Sequence, residues 1–195
     1  MYIAPAMFYR HTMYHSGNQM VDPQILFEKA RIQPGMHVAD FGCGQTGHII
    51  FPCAKILGER GIIYAVDILK DVLMQIEQRA KSNSLLNVHS VWSDIEKKGH
   101  TAIPSHSLDV AFLVNTLVHV KERHTVLDEV NRLLKDKARL VIVDWVKKGL
   151  VFGPKEGQFI DFSDIEAWAR AHRFVVQEEF DMGRYHRGVV LYKHE

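Results

Sequence analysis

Apolar positions along this chain fall into two alternating patterns. Short continuous runs at residues 36–41, 61–67, 88–95, 108–115 and 139–145 have the length and β-branched content of strands. The run at 108–115 is apolar enough to be covered on both faces. Between these runs the apolar residues recur at helical spacing. Val72, Leu73, Ile76 and Ala80 follow Asp71, while Val126, Leu127, Val130, Leu133 and Leu134 share one side of a helix predicted over 122–134. Asp22-Pro23 predicts another helix start, with the acid as N-cap and proline in the first position, and Ile25, Leu26 and Ala30 supply its apolar face through Arg31. Residues 46–57 read as a crossover helix in which Pro52 either makes a kink or falls in the opening turns. Strands alternating with helices predict an α/β domain with a parallel sheet.

Beyond residue 145 the pattern changes. Ser163-Asp164-Ile165-Glu166 has the form of a capping box, opening a helix that turns Ile165, Trp168 and Ala169 inward. Residues 174–180 and 188–192 then read as two strands with a tight connection. An antiparallel pair would thus end an otherwise parallel sheet.

The first strand runs into a glycine-dense turn, Asp40-Phe41-Gly42-Cys43-Gly44-Gln45-Thr46-Gly47. Glycines permit positive φ and let a ligand approach the main chain without meeting a Cβ. Asp40 bears on which ligand that is. A carboxylate beside the loop repels a pyrophosphate and welcomes a cation. The second strand ends in Asp67, a position from which a carboxylate can accept both hydroxyls of a ribose, or else cap the following helix, for which Asp71 is the better candidate. The third strand closes at Asp94, a ligand-binding, cap or turn residue.

With three successive strands ending in Asp, the chain resembles the class I S-adenosylmethionine-dependent methyltransferases from about Gly35 onward. The resemblance implies a Rossmann-like seven-stranded, mostly parallel sheet of order 3-2-1-4-5-7-6, with strand 7 antiparallel and helices on both faces. It also implies S-adenosylmethionine as cofactor. The methionine end would lie at Asp40, Phe41, Gly42 and Gly44, the ribose at Asp67 and the adenine at Asp94, with Ile68 and Ile95 as apolar walls. Here the third glycine is displaced by one, giving G-x-G-x-x-G, a spacing that a dinucleotide loop shares. An NAD-dependent oxidoreductase and a non-catalytic cofactor-binding partner subunit are therefore the competing readings.

The family places groups facing the transferred methyl after strand four, here Asn115-Thr116-Leu117-Val118-His119. Asn115 is the first candidate, for cofactor binding as well as catalysis, because an amide ending a buried strand needs a polar partner that bound cofactor or substrate could provide. His119 is either a general base or a solvated or capping histidine. Tyr185 and His186 either reach over the acceptor or lie at a solvated hairpin tip. Residues 1–20, rich in Tyr, His and Met, form either a lid whose Tyr14 and His15 line the acceptor pocket or an ordinary chain terminus.

Composition narrows the picture further. A chain of 195 residues that is 47% apolar suits a single domain, with 21–195 as core. A net charge of +1 carries no strong nucleic-acid signature, and no apolar run reaches membrane-spanning length. Without a signal-peptide pattern, the expected location is cytoplasmic. Two cysteines, Cys43 and Cys53, argue against a disulfide framework and against the arsenic methyltransferases, which use several thiols. His11 and His15 have the spacing of a helical metal pair but lie in an irregular segment with no carboxylate motif, so no metal is expected. The acceptor is expected to be a small molecule first, then a protein side chain, then RNA.

Overall fold

The computed structural model describes residues 20–146, 148–149 and 153–195. In chain order the elements are α1 (Pro23–Ala30), β1 (His37–Phe41), α2 (Ile50–Leu57), β2 (Ile62–Asp67), α3 (Lys70–Ser82), β3 (Val88–Trp92) and β4 (Leu108–Val114). A 3-10 turn (Leu117–His119) follows, then α4 (Arg123–Leu133), β5 (Leu134–Trp145), α5 (Phe162–Ala171), β6 (Phe174–Met182) and β7 (His186–Lys193). The strands form one sheet of order β3-β2-β1-β4-β5-β7-β6. β7 is antiparallel to both β5 and β6, and the other neighbours are parallel. This is the order expected from the resemblance.

The sheet separates two apolar layers, as the alternation of side chains along a strand requires. On β4, Val110, Phe112 and Val114 join the layer containing Leu26 and Phe27 of α1, Ile50 and Leu57 of α2, and Leu73 and Ile76 of α3. Ala111 and Leu113 join Val126, Leu127 and Val130 of α4 and Ile165 and Trp168 of α5. The order also creates the crevice. From β1 the chain passes to β2 on one side, whereas β4 flanks β1 on the other, so the connections leaving their carboxyl ends diverge and open a cleft there.

Several local expectations need correction. α2 starts at Ile50, not Thr46, because Gly47 is held at φ +56° and breaks helical geometry; Pro52 then falls in the first turn, where its missing N–H is harmless. The Ser163–Glu166 capping box does not form. Asp161 is the N-cap of α5, accepting from the Ser163 backbone N–H at 2.9 Å, so the helix begins at Phe162. Asp71 does not cap α3 but lies in its first turn, while the Asp67 carboxylate accepts the Leu69 N–H at 3.0 Å. β5 begins at Leu134, earlier than residue 139, through pairing of Leu134 with Leu108.

The β6–β7 pairing extends to Met182 and His186, so His186 is a strand residue at 1% exposure and not part of a solvated tip. Gly188 of β7 faces Phe180, and a Cβ there would lie 2.2 Å from the Phe180 ring. Gly188→Ala is accordingly expected to destabilise the fold by about 1–3 kcal/mol, read as a shifted denaturant midpoint with an unchanged slope. An unaltered midpoint would mean that Phe180 moves aside freely.

Candidate functional site

The glycine turn is held from three sides. The backbone N–H groups of Gly42 and Cys43 donate to the Val66 carbonyl, at 2.8 and 3.1 Å. The Gly44 N–H donates to Oδ2 of Asp67 at 3.1 Å. From β4, the Thr116 hydroxyl donates to the Phe41 carbonyl at 2.7 Å and packs so closely that a Cβ on Gly42 would lie 2.8 Å from Oγ1. Gly42 and Gly44 both have positive φ, at +76° and +62°. The displaced third glycine has a different task. A Cβ on Gly47 would meet the Phe51 ring at 2.5 Å and Ile76 at 2.7 Å, so Gly47 lets the turn pack down on α2 and α3.

Arg79 of α3 completes this support, donating to the Thr46 carbonyl at 2.7 Å with its guanidinium 4.2 Å from the Phe51 ring centroid. Thr116 and Arg79 were not assigned roles from sequence, since a hydroxyl or guanidinium that supports a carbonyl 33 or 75 residues away leaves no local signature.

Asp40 is 3% exposed, and burial, with the nearby Asp67 charge adding to it, pushes its carboxyl up to about 8. At neutral pH it is mostly protonated until a cation arrives. The same surroundings push the Cys43 and Cys53 thiols upward, leaving both inert. Asp67 accepts the Leu69 amide on Oδ1 and, on Oδ2, the Gly44 amide and the Cys43 thiol, the last at 4.0 Å. A carboxylate offers about four acceptor directions, so one remains for a ribose hydroxyl and a second is taken only by the long thiol contact. The helix-turn role and ligand binding are thus compatible.

Asp94 pairs with the Lys97 ammonium at 3.0 Å and accepts the Glu96 N–H at 3.2 Å, and the hydrogen bond from Lys97 leads in lowering its pKa. Ile95 is buried at 9% exposure, whereas Ile68 is 54% exposed, its carbonyl accepting the Trp92 indole N–H at 2.8 Å. The loop beyond Asp94 is clamped by fully buried Glu129, which accepts the Gly99 and Thr101 amides and pairs with Arg132.

On the other side of β1, Asn115 ends β4 at φ +55° and is 6% exposed, with its N–H on the Val143 carbonyl at 2.8 Å. Asn tolerates this left-handed conformation better than most residues. His119 ends the 3-10 turn at the surface, and the partial burial of its ring holds its pKa below the ordinary imidazole value. A fourth strand-end acid, Asp144, escaped the sequence reading because it is followed by no glycine or turn signal. It is fully buried and pushed up to about 7 by burial, while the Trp145 and Val118 amides, at 2.8 and 3.3 Å, oppose that rise. Arg123 binds the carbonyls of Leu117, Phe159 and Gln158, tying the turn after β4 to the chain after β5.

Tyr185 lies between β6 and β7, its carbonyl accepting the Val146 N–H at 2.9 Å and its ring 6.4 Å from that of Trp145. The His186 ring lies closer, 4.3 Å from Trp145 between centroids and tilted 46° to it. Tyr14, His15 and the lid expected over 1–20 fall outside the described residues, save Met20. Among the described residues, no group of three or more His, Cys, Asp or Glu could hold a metal ion, and no helix is long and apolar enough to cross a membrane.

Asp40, the glycine turn and Asp67 thus meet at the crevice between β1 and β2, and the profile of a family described as a methyltransferase domain matches residues 32–184. The chain belongs to that methyltransferase family. A solved S-adenosylmethionine-dependent methyltransferase from Aquifex aeolicus shares its fold, with a TM-score of 0.78 and 24% identity over 91% of this chain and 93% of that one. Among curated relatives, the methyltransferase GfsG of Streptomyces halstedii is 25% identical over 69% of this chain and 46% of its own length. A demethylmenaquinone methyltransferase from a Geobacillus species is 25% identical over 64% of this chain and 51% of its own length. The chain thus spans about half the length of these two relatives.

The cofactor of this methyltransferase fold is S-adenosylmethionine, and the residues present fit it. Gly42 and Gly44 take the positive φ that lets the turn close beside Asp40 and Asp67, and the buried Asp40 gains a counter-ion from a cationic ligand.

Proposed function

We propose that this chain transfers the methyl group of S-adenosylmethionine to a small-molecule acceptor. The observation that carries the choice of cofactor is the state of the loop amides. The N–H groups of Gly42, Cys43 and Gly44 are all committed, two to Val66 and one to Asp67. A dinucleotide pyrophosphate needs such amides free and would meet the Asp67 carboxylate instead. The shifted glycine spacing, which favours the NAD reading, serves packing on Phe51 and Ile76.

In this reading Asp40, Phe41, Gly42 and Gly44 hold the methionine end, Asp67 the ribose, and Asp94, Ile68 and Ile95 the adenine. Bound S-adenosylmethionine supplies a methyl carbon already activated by its sulfonium. The protein's share is to position a nucleophile and exclude water, for which Asn115, His119 and Tyr185 stand on the acceptor side. A small acceptor is favoured by the relative that acts, by its name, on demethylmenaquinone.

Labelled methyl transfer into a cell extract tests the proposal. Label is expected in the small-molecule fraction, and far less should appear with Asp67→Ala at the same cofactor concentration. Label in protein or RNA would overturn the acceptor class. Cofactor binding without transfer to any fraction would favour a non-catalytic partner subunit.

A further inference from the structure

One buried polar ring at the carboxyl end of β5 packs on its neighbours while its hydrogen-bonding capacity is left unmet by the described residues. His186 opens β7 directly opposite Trp145 at the end of β5 and is 1% exposed. Neither of its ring nitrogens has a hydrogen-bond partner. A polar ring buried in this way forfeits the hydrogen bonds it makes to water, a cost that phenylalanine would not carry. Burial also pushes its pKa down to about 4, so the ring is neutral and presents one donor and one acceptor. The Trp145 indole lies 4.3 Å away, with the Tyr185 ring on Trp145 at 6.4 Å. An indole buried at 3% exposure and unmet hydrogen-bonding capacity therefore adjoin at the carboxyl end of β5, two strands from β1.

We propose that His186 is the polar anchor of the methyl-acceptor site and that the acceptor is a flat ring bearing a hydroxyl. The ring lies against Trp145, and the hydroxyl supplies the imidazole with the partner it lacks. A neutral imidazole suits this better than a cation would, because the nitrogen that faces the hydroxyl can, by choice of tautomer, either accept from it or donate to it. Gly153 packs against the Trp145 indole, where a Cβ would lie 3.2 Å from the ring, so the acceptor reaches the site by parting this contact. The proposal rests on the methyltransferase reading and adds to it a residue and a substrate class.

The test titrates 2-naphthol and 2-methylnaphthalene into protein saturated with S-adenosylhomocysteine, for wild type and His186→Phe. In wild type, 2-naphthol is expected to bind about tenfold more tightly and to move the His186 imidazole nitrogen resonances. In His186→Phe the two should bind equally, with S-adenosylhomocysteine affinity unchanged and a melting temperature no lower than wild type. His186→Gln, which keeps a donor and an acceptor, should retain part of the preference and guards against a phenylalanine variant that fails to fold. Equal affinities in wild type, a preference that survives in His186→Phe, or no binding of either probe would overturn the proposal. Failure of wild type to bind S-adenosylhomocysteine is a different result, which removes the methyltransferase reading itself.

Discussion

Asp67→Ala is expected to weaken S-adenosylhomocysteine binding by roughly 30- to 1000-fold, equivalent to about 2–4 kcal/mol. The carboxylate is asked to do two things at once. Its remaining acceptor directions would take the ribose hydroxyls, and its two amide bonds hold Gly44 of the glycine turn and Leu69 before α3. Alanine would remove both the proposed ribose contact and the restraint on the turn proposed to hold the methionine end. The fold should survive, because Asp67 ends its strand at the crevice and Ile63, Ala65 and Val66 of β2 keep their apolar contacts. Calorimetric titration beside a thermal melt separates the two effects. Wild-type affinity in a normally folded Asp67→Ala protein would remove the ribose assignment.

Asp40→Asn should have opposite effects on stability and on binding. In the ligand-free protein the Asp40 carboxyl, pushed up to about 8, lies well above its ordinary value near 4. The folded state therefore holds this proton more tightly than the unfolded state. Below pH 4 the group is protonated in both states and contributes nothing; its destabilising effect grows from pH 4 to pH 8 and is complete above that. Asn removes this cost, so the ligand-free variant should melt several degrees above wild type at pH 8 and with it at pH 4. Asp144, pushed up to about 7, gives wild type a slope of the same sign, but it is present in both proteins and cancels in the difference.

Binding should move the other way. A cationic ligand favours the carboxylate, so wild-type affinity should rise with pH towards 8, whereas the Asn variant should bind weakly and without that rise. A less stable variant at pH 8 would show Asp40 to be ionised and structurally satisfied in the free protein.

The sheet was legible in the sequence because its signals are local and redundant. Apolar runs such as 108–115, helical spacing on either side, and a terminal strand pair each point to the same topology, and the strand order then followed from the family resemblance. Helix starts were less legible, because several residues compete for each cap. Asp161 prevails over Ser163, and Asp67 reaches the Leu69 amide that Asp71 cannot. On the cofactor side, acids at strand ends and glycines at positive φ leave clear traces. Thr116, Arg79, Arg123 and Asp144 leave none, because each acts on backbone groups that only the fold brings near. His186 was visible as a candidate, but its burial depends on pairing with Trp145 across β5 and β7.

Calorimetry of S-adenosylmethionine and NAD binding, run in two buffers of different ionisation enthalpy at pH 7, tests the central claim most directly. The account predicts binding of S-adenosylmethionine with release of close to one proton, loss of that release in Asp40→Asn, and no binding of NAD. Saturable binding of NAD with none of S-adenosylmethionine would contradict it.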